Sequence, residues 1–259
     1  MTLAYKGIEI NYQVLGKGTP LVFLHGFLEN STMWNHLVSF FSDSYCCITI
    51  DLLGHGKTDC LGYIHRMEDM AEAVKAVLDT TITDKPIVIG HSMGGYVSLA
   101  YLDLYPKMIS GIVLLNSTSF PDNEERKKNR SRAIDIVKKN PNAYTSMAIA
   151  NLFAEENRSK FSDQIEAIKN EASKTPLQGI ISALEGMKIR KDHTQTLLKF
   201  GSPKIIFAGE KDPVLSYQQN VAESKQSKTN LISFDGGHMS YIENKDELLK
   251  SIHQFLKNS

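Results

Sequence analysis

Gly90-His91-Ser92-Met93-Gly94 places one serine in a G-x-S-x-G pattern, between a β-branched run, Pro86-Ile87-Val88-Ile89, and a segment with helical periodicity from Gly95 to Leu102. A serine on a sharp strand-to-helix turn has its hydroxyl pushed out at the sheet edge, and the flanking glycines leave room for that turn. The helix start behind it offers free backbone N–H groups to a developing anion. The chemistry that fits is nucleophilic attack on an acyl carbon. A serine hydroxyl is a poor nucleophile until a base takes its proton. Histidine titrates near working pH, and a buried carboxylate fixes its tautomer and stabilises the imidazolium. His238 follows the last strand-like run in Asp235-Gly236-Gly237-His238, a turn able to aim the ring at Ser92. Asp212 lies in Ala208-Gly209-Glu210-Lys211-Asp212-Pro213, with Glu210 and Asp235 as nearby rivals for the acid. The Met93 N–H, directly after the nucleophile, is one expected oxyanion donor.

The elements that must position these residues read as alternating strands and helices. Ile8–Val14 alternates like a strand, and Leu21–Leu24 is a fully apolar run stopped by His25-Gly26. Ser31 can cap a helix carrying Trp34, Leu37, Val38 and Phe41 inward. A strand over Tyr45–Ile50 ends at Asp51, and a helix over Met67–Leu78 buries Met70, Ala71, Val74, Val77 and Leu78. After the Ser92 segment come apolar strands at Ile112–Leu115, Lys204–Phe207 and Leu231–Phe234, and a closing helix at Asp246–Leu256. Strands that are apolar throughout, alternating with amphipathic helices, predict a mostly parallel sheet covered on both faces. Residues 117–201 break the alternation. They hold helix-like patches around Ile134–Val137, Met147–Phe153, Phe161–Ile168 and Leu177–Met187, too long for a loop. The expected division is an α/β core of residues 1–116 and 202–259, with 117–201 as an inserted helical lid; helices merely packed on the sheet are the plainer reading of that insert.

Composition excludes several other classes. Lys plus Arg number 29 and Asp plus Glu number 29, which gives no electrostatic case for nucleic acid or an anionic membrane as partner. The first residues lack the apolar run of a signal peptide, and no apolar run is long enough to span a bilayer. A cytoplasmic protein acting on a small molecule is the expectation, with oligomeric state open. The three cysteines, Cys46, Cys47 and Cys60, form neither a disulfide framework nor a metal motif. No histidine pair has i,i+4 metal spacing, so no metal is expected. His36, His65, His193 and His253 stand in polar or helical contexts and read as surface residues.

His25-Gly26-Phe27, Asp51-Leu52-Leu53-Gly54-His55-Gly56, the Ser92 elbow with Gly95, Gly209-Glu210-Lys211-Asp212 and Gly236-Gly237-His238 together resemble the α/β-hydrolase fold family, over nearly the whole chain. The resemblance implies the serine-nucleophile branch, with chain order Ser92, Asp212, His238. It implies Asp212 as the acid, since the alternative position after the preceding strand reads Asn116-Ser117-Thr118. It implies Phe27 N–H as the second oxyanion donor, and His25 as the residue that orders that loop. Haloalkane dehalogenases and epoxide hydrolases of this fold carry aspartate where this chain has Ser92. No cofactor is implied.

The substrate is less legible. His25, Tyr96, Met147, Leu152, Phe153 and Met187 are the candidate pocket residues. Arg126-Lys127-Lys128-Asn129-Arg130-Ser131-Arg132 holds five basic residues in seven. A solvated helix face, with Glu124 and Glu125 pairing to Lys128 and Asn129, is the plainer reading; a carboxylate site is the sharper one. The expected activity is hydrolysis of a small carboxylic ester or related acyl substrate. The alternatives are a lyase like the branch that makes a menaquinone precursor, a carbon–carbon bond hydrolase, and a ligand receptor. That lyase branch carries arginine after the Gly-Gly of the elbow, where this chain has Tyr96.

Overall fold

The computed structural model describes all 259 residues. Eight strands form one sheet: β1 (Thr2–Tyr5), β2 (Ile8–Leu15), β3 (Pro20–Leu24), β4 (Cys46–Ile50), β5 (Ile87–His91), β6 (Gly111–Leu115), β7 (Lys204–Gly209) and β8 (Asn230–Phe234). Their order across the sheet is β1-β2-β4-β3-β5-β6-β7-β8. β1 and β2 are an antiparallel edge, and β2 runs antiparallel to β4; every pairing from β4 to β8 is parallel. The β1 hairpin arm is absent from the sequence reading because four half-exposed residues give no periodic signal.

The central strands are buried on both faces, and their residues alternate between two cores. Val22, Leu24, Ile48, Ile50, Val88, Ile112 and Leu114 face one side. There they meet α2 (Met67–Thr81) and α3 (Met93–Leu104). Leu21, Phe23, Cys47, Ile87, Ile89, Val113 and Leu115 face the other. They meet α1 (Asn35–Phe41) and a C-terminal helix, α11 (Lys245–Lys257). Period-two alternation with apolar residues on both faces is what helix-covered parallel strands require. At the start of α1 the structure corrects the reading. Asn30, not Ser31, caps a 3₁₀ turn over Ser31–Trp34 by accepting from Thr32 N–H, and α1 follows it.

Residues 117–201 carry α4 (Glu124–Lys139), α5 (Pro141–Ala150), α6 (Ser162–Ala172), α7 (Leu177–Lys188) and α8 (Thr194–Lys199), and no strand. Asn123 accepts the Arg126 N–H at the start of α4, and Glu124 and Glu125 lie in its first turn, where the helix dipole favours them. Asn140 caps α5 and Pro141 opens it. These helices share the larger core: Ile134, Val137, Ile149, Leu184 and Met187 are continuous with the α2 and α3 side. The backbone of α7 approaches the loop after β4 so closely that a Cβ on Gly186 would lie 1.7 Å from the His65 carbonyl oxygen. The remaining helices are α9 (Tyr217–Ser227) and the short α10 (Ser240–Glu243). No helix is long and apolar enough to cross a membrane.

Candidate active site

β5 ends at His91, and Ser92 turns the chain into α3 with φ +49° and ψ −113°. A positive φ on a residue with a Cβ is strained, so it persists only where surroundings enforce it. Here the Ser92 N–H donates to Leu115 C=O at 3.0 Å, and its own carbonyl accepts from Gly95 N–H at 3.0 Å and Ser117 Oγ at 2.8 Å. Gly94 lets α3 sit against the end of β3: a Cβ there would be 2.1 Å from the Leu24 carbonyl oxygen. The pattern G-x-S-x-G is thus a packing requirement of the turn.

His238 brings Nε2 to 2.8 Å from Ser92 Oγ and Nδ1 to 2.7 Å from Asp212 Oδ2. Asp212 is fully enclosed. Its Oδ1 accepts from Val214 and Leu215 N–H at 2.7 and 3.0 Å, and Asn116 Nδ2 donates to Oδ2 at 3.2 Å. Burial opposes its ionisation, but the His238 ring and these donors outweigh burial and hold the carboxyl below its usual range. The rivals lie elsewhere. Glu210 accepts from Ser233 at the surface, and Asp235 pairs with Lys211 in solvent. Asn116, at the strand end that offers no carboxylate, also donates to the Gly237 carbonyl and so ties the acid to the histidine turn.

The N–H groups of Phe27 and Met93, near Ser92, donate to no protein acceptor. His25 holds the loop of Phe27 in shape. Its Nδ1 lies 2.7 Å from the Gly26 carbonyl, and its Nε2 accepts from Leu52 N–H at 2.8 Å. Donor and acceptor roles are both used, so this ring is neutral, and burial holds its pKa below the ordinary histidine value.

A cavity of about 370 Å³ opens over Ser92 and His238. Phe27, Tyr96, Leu152, Leu184, Met187 and Val214 supply apolar wall, and Arg126 and Arg130 reach into it from α4. Of the candidate pocket residues, Tyr96, Leu152 and Met187 line this cavity. His25, Phe153 and Met147 do not line it. His25 is sealed beneath the Phe27 loop. Phe153 packs with Ile165 and Met239 in a separate small core. Met147 points outward from α5, half exposed. Periodicity selects apolar positions on a helix but not which neighbour each one faces.

A profile described as the alpha/beta hydrolase fold matches residues 19–245. The chain belongs to the α/β-hydrolase fold family. A thermophilic esterase from Thermogutta terrifontis, solved with malate bound, superposes with TM-score 0.92 and 27% identity, covering 99% of this chain and 96% of that one. A cis-3-alkyl-4-alkyloxetan-2-one decarboxylase of Shewanella oneidensis is 30% identical over 122 residues, 46% of this chain and 38% of its own length. A 2-(acetamidomethylene)succinate hydrolase of Mesorhizobium japonicum is 27% identical over 117 residues, 45% of this chain and 42% of its own length. These two alignments span less than half of each curated relative.

This α/β-hydrolase carries a buried network that its sequence pattern hides. Glu29 accepts from Gly26 N–H at 2.9 Å, His91 Nδ1 at 2.8 Å and Tyr241 OH at 2.8 Å. His91 Nε2 lies 3.0 Å from the His238 carbonyl oxygen. Both partners of the His91 ring are acceptors, so both nitrogens must donate and the ring is an imidazolium. Burial disfavours that charge, but Glu29 more than offsets it and raises the His91 pKa; His91 in turn holds Glu29 below its usual range. The pair links the Phe27 loop, the elbow and the His238 turn. Glu29 carries no motif signal; three donors converging on it from distant segments are visible only in the fold.

Two of the four histidines read as surface residues are enclosed, whereas His36 is exposed as read. His65 and His193 are buried, and so is His55. Burial pushes the His55 pKa down to about 3 and the His65 pKa down to about 4. His65 Nε2 accepts from Leu61 N–H, which a second proton would break. Both groups are depressed below the unfolded value of about 6.5, so the unfolded chain binds protons that the fold refuses. Their stabilising contribution is complete above pH 6.5 and is lost as pH falls toward 4. Each costs about 1.4 kcal/mol per pH unit across that window. Urea unfolding at pH 7 and pH 5 is expected to show a smaller loss in His65→Asn than in the wild-type protein; the same pH dependence in both would contradict the neutral assignment of His65.

Proposed function

We propose that the chain is a serine hydrolase of small carboxylic esters or related acyl substrates, with Ser92 as nucleophile, His238 as general base and Asp212 as the acid that orients it. The observation that carries this reading is the hydrogen-bonded line from Asp212 through His238 to Ser92, at the floor of a cavity of about 370 Å³. His238 takes the Ser92 proton as Oγ attacks the acyl carbon. The Phe27 and Met93 N–H groups receive the oxyanion, and His238 then returns the proton to the leaving alkoxide. Water, activated by the same ring, releases the acid. The likeness to an esterase at 27% identity over nearly both chains supports it. The inserted helices act as a lid in this reading: they wall the outer side of the cavity, and Leu152, just past α5, accepts the His238 N–H at 2.8 Å. The protein acts free of membranes and nucleic acid, in the cytoplasm, and its chemistry draws on no cofactor.

A cavity of this size admits a short acyl chain and not a long one. With p-nitrophenyl esters, kcat/KM for the butanoate is expected to exceed that for the dodecanoate by about tenfold or more. Equal or rising values with chain length would contradict a pocket limited to this volume, and no turnover of any ester would contradict the hydrolase reading.

A further inference from the structure

The basic start of α4 is a solvated face only in part: Lys128 and Arg132 are exposed, whereas Arg126 and Arg130 turn inward. Asp122, completely enclosed, is bracketed by three arginines: Arg126 Nε at 2.9 Å, Arg190 Nη1 at 2.5 Å, and Arg130 through its Nε. Three guanidinium charges surround one carboxylate, and their pull holds the Asp122 pKa down to about 2 against burial. Arg190 is consumed within the wall: it donates to Phe120 and Met187 carbonyls as well as Asp122, and its guanidinium lies 4.1 Å over the Tyr96 ring. Arg126 and Arg130 are not consumed. Arg126 uses Nε on Asp122 and Nη1 on the Val214 carbonyl, leaving Nη2 without a protein acceptor. Arg130 spends Nε and Nη2 on Asp122, leaving Nη1. Their side chains retain 26% and 15% exposure, and both line the cavity over Ser92. One helical turn separates them, so they share a face. Glu124, the acid next to them on α4, pairs with Lys127 in solvent instead.

We infer that Arg126 and Arg130 form a carboxylate subsite inside the acyl pocket, so that the substrate is an ester or related acyl compound bearing its own carboxylate. This deepens the serine-hydrolase reading and rests on it. Asp122 and its neighbours hold Arg126 charged at the cavity wall against the cost of burial. Asp122 fixes both guanidinium planes, so their free N–H edges are already oriented for a planar anion with two oxygens. The neutral reacting carbonyl lies over Ser92 while the anionic end sits on α4.

The test has a binding arm and a turnover arm. Glutarate and its neutral analogue glutaramide are titrated calorimetrically into the wild-type protein and into Arg126→Gln/Arg130→Gln. Monoethyl succinate, glutarate and adipate are compared by pH-stat with ethyl butanoate, pentanoate and hexanoate. Glutarate is expected to bind wild type at least about tenfold more tightly than glutaramide, and the acid-to-neutral kcat/KM ratio is expected to fall about ten- to a hundredfold in the variant. The wild-type comparison decides if the variant does not fold. Equal binding of glutarate and glutaramide, or an unaltered ratio in a folded variant, overturns the subsite. Preference for ethyl 4-phosphonobutanoate over monoethyl glutarate overturns the carboxylate in favour of a phosphoryl group. Failure of the hydrolase reading looks different: no ester, acidic or neutral, is turned over, while the calorimetric difference still reports on the arginines.

Discussion

Ser92→Ala is expected to lower kcat/KM for a short ester by roughly 10⁴- to 10⁶-fold while leaving the fold intact. The side chain makes one hydrogen bond, to His238 Nε2, and the turn is held by its backbone instead. Removing Oγ therefore deletes the nucleophile without freeing the strained elbow. What survives is the small acceleration that the oxyanion donors and binding supply on their own. Steady-state kinetics with circular dichroism on the same sample checks it. A loss of less than about a hundredfold in a folded variant would mean that another group attacks.

Asp212→Asn is expected to cost about 10⁴ in kcat. The carboxylate accepts the hydrogen bond of His238 Nδ1–H, which keeps the proton on Nδ1 and leaves Nε2 free to accept from Ser92. An amide offers its NH₂ to Nδ1, moves the ring proton to Nε2 and turns the base into a donor. Asn116 already donates to the same carboxylate oxygen, so an amide nitrogen at that site would also meet a second donor. Glu210→Gln and Asp235→Asn, both at the surface, are expected to change kcat by less than about threefold. Equal damage from Asp235→Asn in a folded protein would move the acid to the other side of the turn.

Much of this arrangement is legible in the chain because each group of the proposed triad stands near a strand end with its own turn chemistry. Ser92 announces itself through glycines that packing demands, and His238 and Asp212 follow β8 and β7 directly. The strands read correctly because a buried parallel sheet leaves continuous apolar runs. The misses share one physical cause: burial of polar groups depends on partners far away in sequence. Glu29 meets Tyr241 across 212 residues, and Asp122 meets Arg190 across 68. Nothing local distinguishes a charged residue that will be enclosed from one that will be solvated. Arg126 and Arg130 therefore look like ordinary helix-surface charge, and His65 like a loop histidine, until the fold encloses them. The pocket residues fail for a related reason, since Met147 and Phe153 are as apolar as Leu152 and Met187 but face other neighbours.

The central claim is that Ser92 is a nucleophile activated by His238. The most direct measurement is intact-mass and peptide mapping after treatment with a fluorophosphonate, which phosphonylates an activated serine. The account predicts a single adduct on Ser92 in the wild-type protein, and none in Ser92→Ala. An unlabelled wild-type protein, or an adduct on a different residue that persists in Ser92→Ala, would contradict it.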